Sequence, residues 1–167
     1  MIMKKLKVTY MPPLAAVIAV ILWICTGYIG AQFFGVAGFC VGVLIGLGIY
    51  NVVRSIGTTV QFGKGNVIDC KYFFYKWKID LEKIDTFSYS IESHLTRGGH
   101  YSFDVKFSYS ENGVEDCYKL NTSIGREDIR RCMDGESHKL EILQVYRYAE
   151  RLYPEKAKGY VESDSIF

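Results

Sequence analysis

From Val8 to Val53 the chain runs 46 residues without a charged side chain. A helix rises 1.5 Å per residue, and about 20 apolar residues cross a hydrocarbon core. The stretch is therefore about two spans long. Lys4, Lys5 and Lys7 stand before it and Arg54 directly after it. Basic residues flanking a span stay on the cytoplasmic side, so the pattern predicts a membrane-embedded hairpin with both termini cytoplasmic. The implied location is the cell's inner (plasma) membrane, as a multi-pass protein.

Within the stretch, Leu14 to Ile24 is unbroken and apolar, and Cys25-Thr26-Gly27-Tyr28-Ile29-Gly30-Ala31-Gln32 follows. Its two glycines and its amide mark the expected turn, with helix one over about 12–31 and helix two over about 33–54. Pro12 and Pro13 suit a first helical turn, where no intrahelical donor is lost. The plain alternatives are one long buried helix or a cleaved signal peptide. A signal peptide has an apolar core of only about 7–15 residues, whereas Phe33 to Tyr50 continues for a second span.

Gly38, Gly42 and Gly46 recur at every fourth residue, with Gly35 close to the same face, and Ala15 and Ala19 repeat the spacing on helix one. In lipid, helices associate through such small residues because backbones can approach closely. The face can receive helix one of the same chain or a second copy, and the motif leaves both open. No ionisable residue lies in the spans, which argues against a proton relay or ion path.

After Arg54 the chain holds 16 of the 20 Lys and Arg and all 18 Asp and Glu, a net charge of −2. A near-neutral domain argues against nucleic acid as a partner. Tyr101, Phe103, Val105, Phe107 and Tyr109 alternate with Ser102, Asp104, Lys106, Ser108 and Ser110, the pattern of a strand with one face buried and one wet. Asn112-Gly113 supplies a tight hairpin turn, and Val114 to Leu120 returns. Thr58–Phe62, Val67–Phe74, 75–82 and 87–92 read as further strands, with a hairpin at Gly63-Lys64-Gly65-Asn66. Helical signals come only afterwards: a short helix capped by Ser123, with Glu127 and Asp128 first and Arg130 and Arg131 last. An amphipathic helix then runs from about 137 to 153, stopped by Pro154. The expected domains are 1–55, a transmembrane hairpin with a basic N-terminus; 56–156, a cytoplasmic β-domain; and 157–167, a flexible tail.

Antiparallel strands followed by one amphipathic helix resemble the order of a pleckstrin-homology-like barrel. The segment Lys71-Tyr72-Phe73-Phe74-Tyr75-Lys76-Trp77-Lys78-Ile79-Asp80-Leu81-Glu82-Lys83-Ile84 looks like the aromatic strand and "I-x-L-x-x-I" of bacterial PH-like domains, over about 56–155. Members with two preceding transmembrane helices are similar in plan. The resemblance implies a membrane α-hairpin plus a mainly-β PH-like barrel with a C-terminal amphipathic helix. Eukaryotic PH domains bind inositol phosphates through a basic first hairpin; here that turn offers Lys64 alone, so that ligand is not implied. The chain also resembles two-transmembrane, β-strand-rich effectors of nucleotide-signalled anti-phage systems, which oligomerise and disrupt the membrane. It lacks the "G-x-W" opening of their barrels, having Gly57-Thr58-Thr59 nearest.

Catalytic chemistry is thinly represented. The five cysteines form no C-x-x-C pair, and Cys70 and Cys117 read as small packing residues of strands. His94, His100 and His138 have no metal-ligand spacing. No metal, cofactor or catalytic residue is therefore expected. The segment to inspect for ligand binding is Arg97, Gly98, Gly99 and His100, where glycine backbone and a guanidinium can meet a phosphate or carboxylate; a solvated hairpin tip explains the same residues. The expected function is a non-enzymatic, membrane-anchored binding or regulatory module. Its partners would be the lipid bilayer and a membrane or membrane-proximal protein, or further copies of the chain; the effector is the alternative.

Overall fold

The computed structural model describes residues 4–63, 65–94, 100–131 and 140–162. They form two compact units, Thr9–Thr58 and the residues on either side of it.

In the first unit, α1 (Pro13–Ile56, 44 residues) is long and apolar enough to cross a membrane. It is interrupted at Phe34 (φ −135°, ψ 15°) and Gly35 (φ 60°, ψ −142°). Glycine has no Cβ to oppose this left-handed conformation, so the chain reverses there and not at 25–32, the expected turn. The halves, 13–33 and 36–56, pack antiparallel: Gly38 meets Gly30, Gly42 meets Thr26 and Gly27, and Gly46 meets Trp23 and Thr26. Trp23 Nε1 donates to the Val43 carbonyl at 3.1 Å. Gly27 and Gly30, expected to form the turn, are instead contact residues of the first half. Large apolar side chains such as Leu22, Ile29, Val36 and Leu44 lie exposed on the outside.

The second unit contains two sheets. Strands β1 (Lys4–Val8), β2 (Thr58–Phe62), β3 (Val67–Tyr72) and β4 (Tyr75–Asp80) form one, in that order. In the other, β5 (Thr86–His94), β6 (His100–Glu111), β7 (Val114–Ile124) and β8 (Ala157–Tyr160) are ordered β7-β6-β5-β8. The Asn112-Gly113 turn joins β6 to β7, with φ of 54° and 79° at its two residues, the geometry a two-residue hairpin demands.

The short helix α2 (Arg126–Arg131) and then α3 (Leu143–Leu152) follow β7. Helix α3 is anchored to both sheets. Its Tyr148 ring lies 5.4 Å from Phe62 and its hydroxyl donates to the Gly65 carbonyl. Its Tyr146 ring lies 5.4 Å from Phe87 and 4.9 Å from Tyr89. Val60, Ile68, Ile79, Phe87, Phe103, Val105 and Phe107 complete the core.

Several expectations need correction. The sheets do not close into a barrel: β6 and β8 occupy both flanks of β5, leaving no side for a ladder to β4. Residues 157–160, expected in a flexible tail, pair in parallel with β5, and Gly159 N–H donates to Tyr146 Oη at 2.9 Å. The N-terminal lysines belong to a strand, because Leu6 and Val8 alternate with them and are buried. Ser123 lies in β7 opposite Ser102 and not at a helix cap; the short helix begins instead with Gly125 N–H donating to Asp128 Oδ2 at 3.2 Å. The start proposed for the last helix, at 137, falls outside the described residues, and α3 itself begins at Leu143.

Candidate functional site

The alternation in β6 places Asp104 on the face expected to be wet, yet its residue exposure is 0 %. Ser90 of β5 and Asn121 of β7 are its register partners, and Ser90 and Ser102 are buried with it. Such burial of a carboxylate is costly unless a cation accompanies it. Lys119 of β7 supplies one, with Nζ 2.9 Å from Asp104 Oδ2 and 3.0 Å from both Glu92 carboxylate oxygens. The Asp104 contact is an ion pair outside hydrogen-bonding geometry, and among the described residues Ser90 Oγ has no hydrogen-bond partner. Lys106 adds a looser contact to Glu92 at 3.5 Å.

The electrostatics follow from this geometry. Burial pushes the Asp104 carboxyl up, with Lys119 opposing and Glu92 reinforcing. Burial also pushes Glu92 up, but its hydrogen bonds from Lys119 and the charges of Lys119 and Lys106 outweigh it and hold the group low. Lys119 is pushed down by burial but raised on balance by the two carboxylates. The ammonium is thus shared between two acids, so that the cluster ties together three neighbouring strands. Single-sequence alternation could not reveal it, because a buried Asp and a wet Asp occupy the same place in the pattern.

A cleft of about 250 Å³ opens at the end of β7, beside the approach to α3. Its polar lining includes Lys7 of β1, Thr122 and Ser123 of β7, Asp128 of α2 and Glu141. Beyond it, β7 itself is a sheet edge of 11 residues, and Val114, Glu115, Asp116 and Cys117 along it are exposed. The exposed end of a sheet edge can pair with another strand; here the Cys117 N–H already donates to Asp116 Oδ1 at 2.7 Å. The chain matches no family model, no curated protein and no solved structure. Geometry and chemistry alone therefore carry the functional reading.

Of the residues singled out from sequence, Arg97, Gly98 and Gly99 lie outside the described residues. His100 opens β6 opposite His94. Gly38, Gly42 and Gly46 all face the first half of α1. Among the described residues no His, Cys, Asp and Glu cluster could hold a metal. Cys70 is buried, and burial, reinforced by Asp69, pushes its thiol up to about 12, so it stays protonated. Cys117 is exposed on the β7 edge and is not a packing residue. The sequence reading also passed over the β3–β4 turn, where Phe73 and Phe74 stand in the open.

Proposed function

We propose that the protein is a non-enzymatic, membrane-anchored binding module, with α1 crossing the bilayer twice and the two-sheet unit held at the cytoplasmic face. The observation that carries this reading is that β1 and β2, the strands immediately before and after the apolar segment, are neighbours in one sheet. A straight helix of 44 residues would be about 66 Å long, and the few linking residues could not bring its ends back to adjacent strands. Folded at Phe34–Gly35, each half is about 31 Å long, the thickness of a hydrocarbon core. Its exposed apolar surface suits lipid and would be costly in water.

For the binding role, the exposed β7 edge supports recognition by strand addition, in which backbone pairing gives affinity and alternate side chains give selectivity. Confinement to the membrane raises the effective concentration of a membrane-bound partner. Clustering through Gly38, Gly42 and Gly46 has less support, because residues 23–30 already fill that face.

The test uses the full chain in its native membrane with a photo-crosslinking residue at Asp116 and, as a control, at exposed Arg147. One discrete adduct from position 116 alone is the expected result. Equal labelling from both positions, release of the protein by carbonate washing, or a melting shift with cyclic dinucleotides would each overturn the reading, the last in favour of the effector.

A further inference from the structure

The turn between β3 and β4 consists of Phe73 and Phe74, joining strands whose last register pair is Tyr72 with Tyr75. Phe74 is 87 % exposed, Phe73 and Tyr75 each 55 %. Phe73 holds φ at 51°, a conformation that glycine or asparagine adopts readily and a bulky aromatic rarely does. The ring of Phe73 meets that of Phe74 edge-on at 4.3 Å, and Tyr75 lies 5.4 Å from Trp77. Three exposed aromatics are thus gathered at the tip, with half-buried Trp77 behind them, where turn chemistry favours small polar residues.

The opposite face of the same ribbon carries Lys71, Lys76 and Lys78, with Asp69 and Asp80 farther from the tip. Lys71 and Lys76 are exposed and directly opposite each other in the ladder, an arrangement that costs stability in an isolated sheet. Lys78 has only a 3.8 Å contact to Asp69, with both side chains more than half exposed. Aromatic side chains settle at the headgroup level of a bilayer, and lysines beside them meet anionic lipid. Register adds a constraint on location. Thr59, three residues after the end of α1 at Ile56, pairs with Lys71. Three extended residues reach at most about 11 Å, so covalent continuity keeps this end of the sheet near the point where the chain leaves the apolar segment.

We infer that the Phe73–Phe74 tip inserts into the headgroup region of the bilayer that α1 crosses, with Lys71, Lys76 and Lys78 contacting anionic lipid phosphates. The inference rests on the membrane reading above and adds a second, peripheral point of attachment.

The test places benzoylphenylalanine at Phe74, or at Arg147 as a control, in the full chain reconstituted into phosphatidylcholine vesicles with or without phosphatidylglycerol. Vesicle flotation is scored first, and failure to float refutes the membrane reading itself. For protein that floats, irradiation is expected to add one phospholipid to the peptide carrying position 74 and none to the control. Lys71→Glu with Lys76→Glu should lower the adduct yield at least about fivefold in phosphatidylglycerol vesicles, to the level found in phosphatidylcholine alone. Chain-to-chain adducts, showing that a second copy covers the tip, or no adduct at all would overturn the inference while leaving the anchor intact. A yield indifferent to both lysines and phosphatidylglycerol would overturn its electrostatic part. Phe74→Tyr, which keeps the aromatic ring at the tip, should compete in folding with the parent and serves as the stability control.

Discussion

The two units solve the packing problem in opposite ways. In α1 the closest approaches are backbone on backbone, Gly38 on Gly30 and Gly42 on Thr26, while many large side chains point outward. In the two-sheet unit the large side chains, Phe87, Phe103 and Phe107, are the interior. Water rewards removal of apolar area from solvent; in the lipid proposed for α1 no such reward exists, and close approach and dispersion would hold its halves together. One consequence is that the damaging substitution has opposite sign in the two places: loss of carbon in the sheets, gain of carbon in the hairpin.

The strongest test of that contrast is Phe103→Ala, expected to destabilise the two-sheet unit by about 3–5 kcal/mol through transfer and cavity terms together. Hydrogen exchange in micelles should show the loss in β5–β7 and leave 13–56 unchanged; a loss spread equally over both would break the comparison. Next is Lys119→Met, which strips two carboxylates of their shared cation. Removing one partner of a buried pair costs about 3–5 kcal/mol, and the partial exposure of Lys119 puts the expected loss near the lower figure. Asp104→Asn should change stability at neutral pH by less than about 1 kcal/mol, since burial already disfavours that charge.

In the hairpin, Gly38→Ala places a Cβ into the Gly30 carbonyl. No rotamer change relieves a clash with backbone, and overpacking costs about 1–3 kcal/mol. Gly48→Ala is the matched control, since nothing lies within 4 Å of its added Cβ, and helix propensity should make it neutral or stabilising by up to about 1 kcal/mol. Equal loss from both would show that the glycines serve flexibility and not contact.

The ionic cluster makes the pH response asymmetric. Lys119 is raised by its carboxylates, so its contribution is present below its unfolded value of about 10.4 and is lost as pH rises through the folded one. Glu92, held low, contributes stability above its unfolded value of about 4.3 that is lost as pH falls through the folded one. Asp104, held high, acts in the opposite sense: its contribution is present below its unfolded value and lost as pH rises. The acid limb should therefore be shallow and the alkaline limb steep in denaturant titrations of the second sheet. A steep acid limb would mean that Asp104 is not disfavoured as an anion.

Much of this architecture was legible from residues. Alternation located β2 to β7, and Asn112-Gly113 named its own turn. The uncharged run marked the apolar unit, but composition could not choose among several glycines for the reversal. Gly27 and Gly30 are chemically equivalent to Gly35, and only packing against Gly38 and Gly42 assigns them to the contact. Strand β1 was obscured because Lys4, Lys5 and Lys7 carry a topological meaning beside a membrane segment, which masked the alternation of Leu6 and Val8. Strand β8 was lost to its short length and its glycine. Closure of a barrel depends on which strand reaches the flank of β5 first, a tertiary competition that no local pattern encodes.

A small expected effect sharpens that last point. Strand β8 is short, and its attachment uses one side chain outside its own ladder: Gly159 N–H donates to the Tyr146 hydroxyl of α3. Tyr146→Phe keeps the ring against Phe87 and Tyr89 and deletes the hydroxyl, which also interacts with Glu150. A single neutral hydrogen bond contributes about 0.5–1.5 kcal/mol, so global stability should fall by about 1 kcal/mol. Amide exchange at Gly159 should accelerate more than at Tyr89 or Phe103. If the Gly159 amide keeps its protection, the parallel ladder with β5 holds the strand unaided, and α3 serves only to fill the space between the sheets. If protection is lost throughout β8 and β5 is freed, β8 is what keeps that flank from pairing elsewhere, and the open two-sheet form depends on one tyrosine hydroxyl.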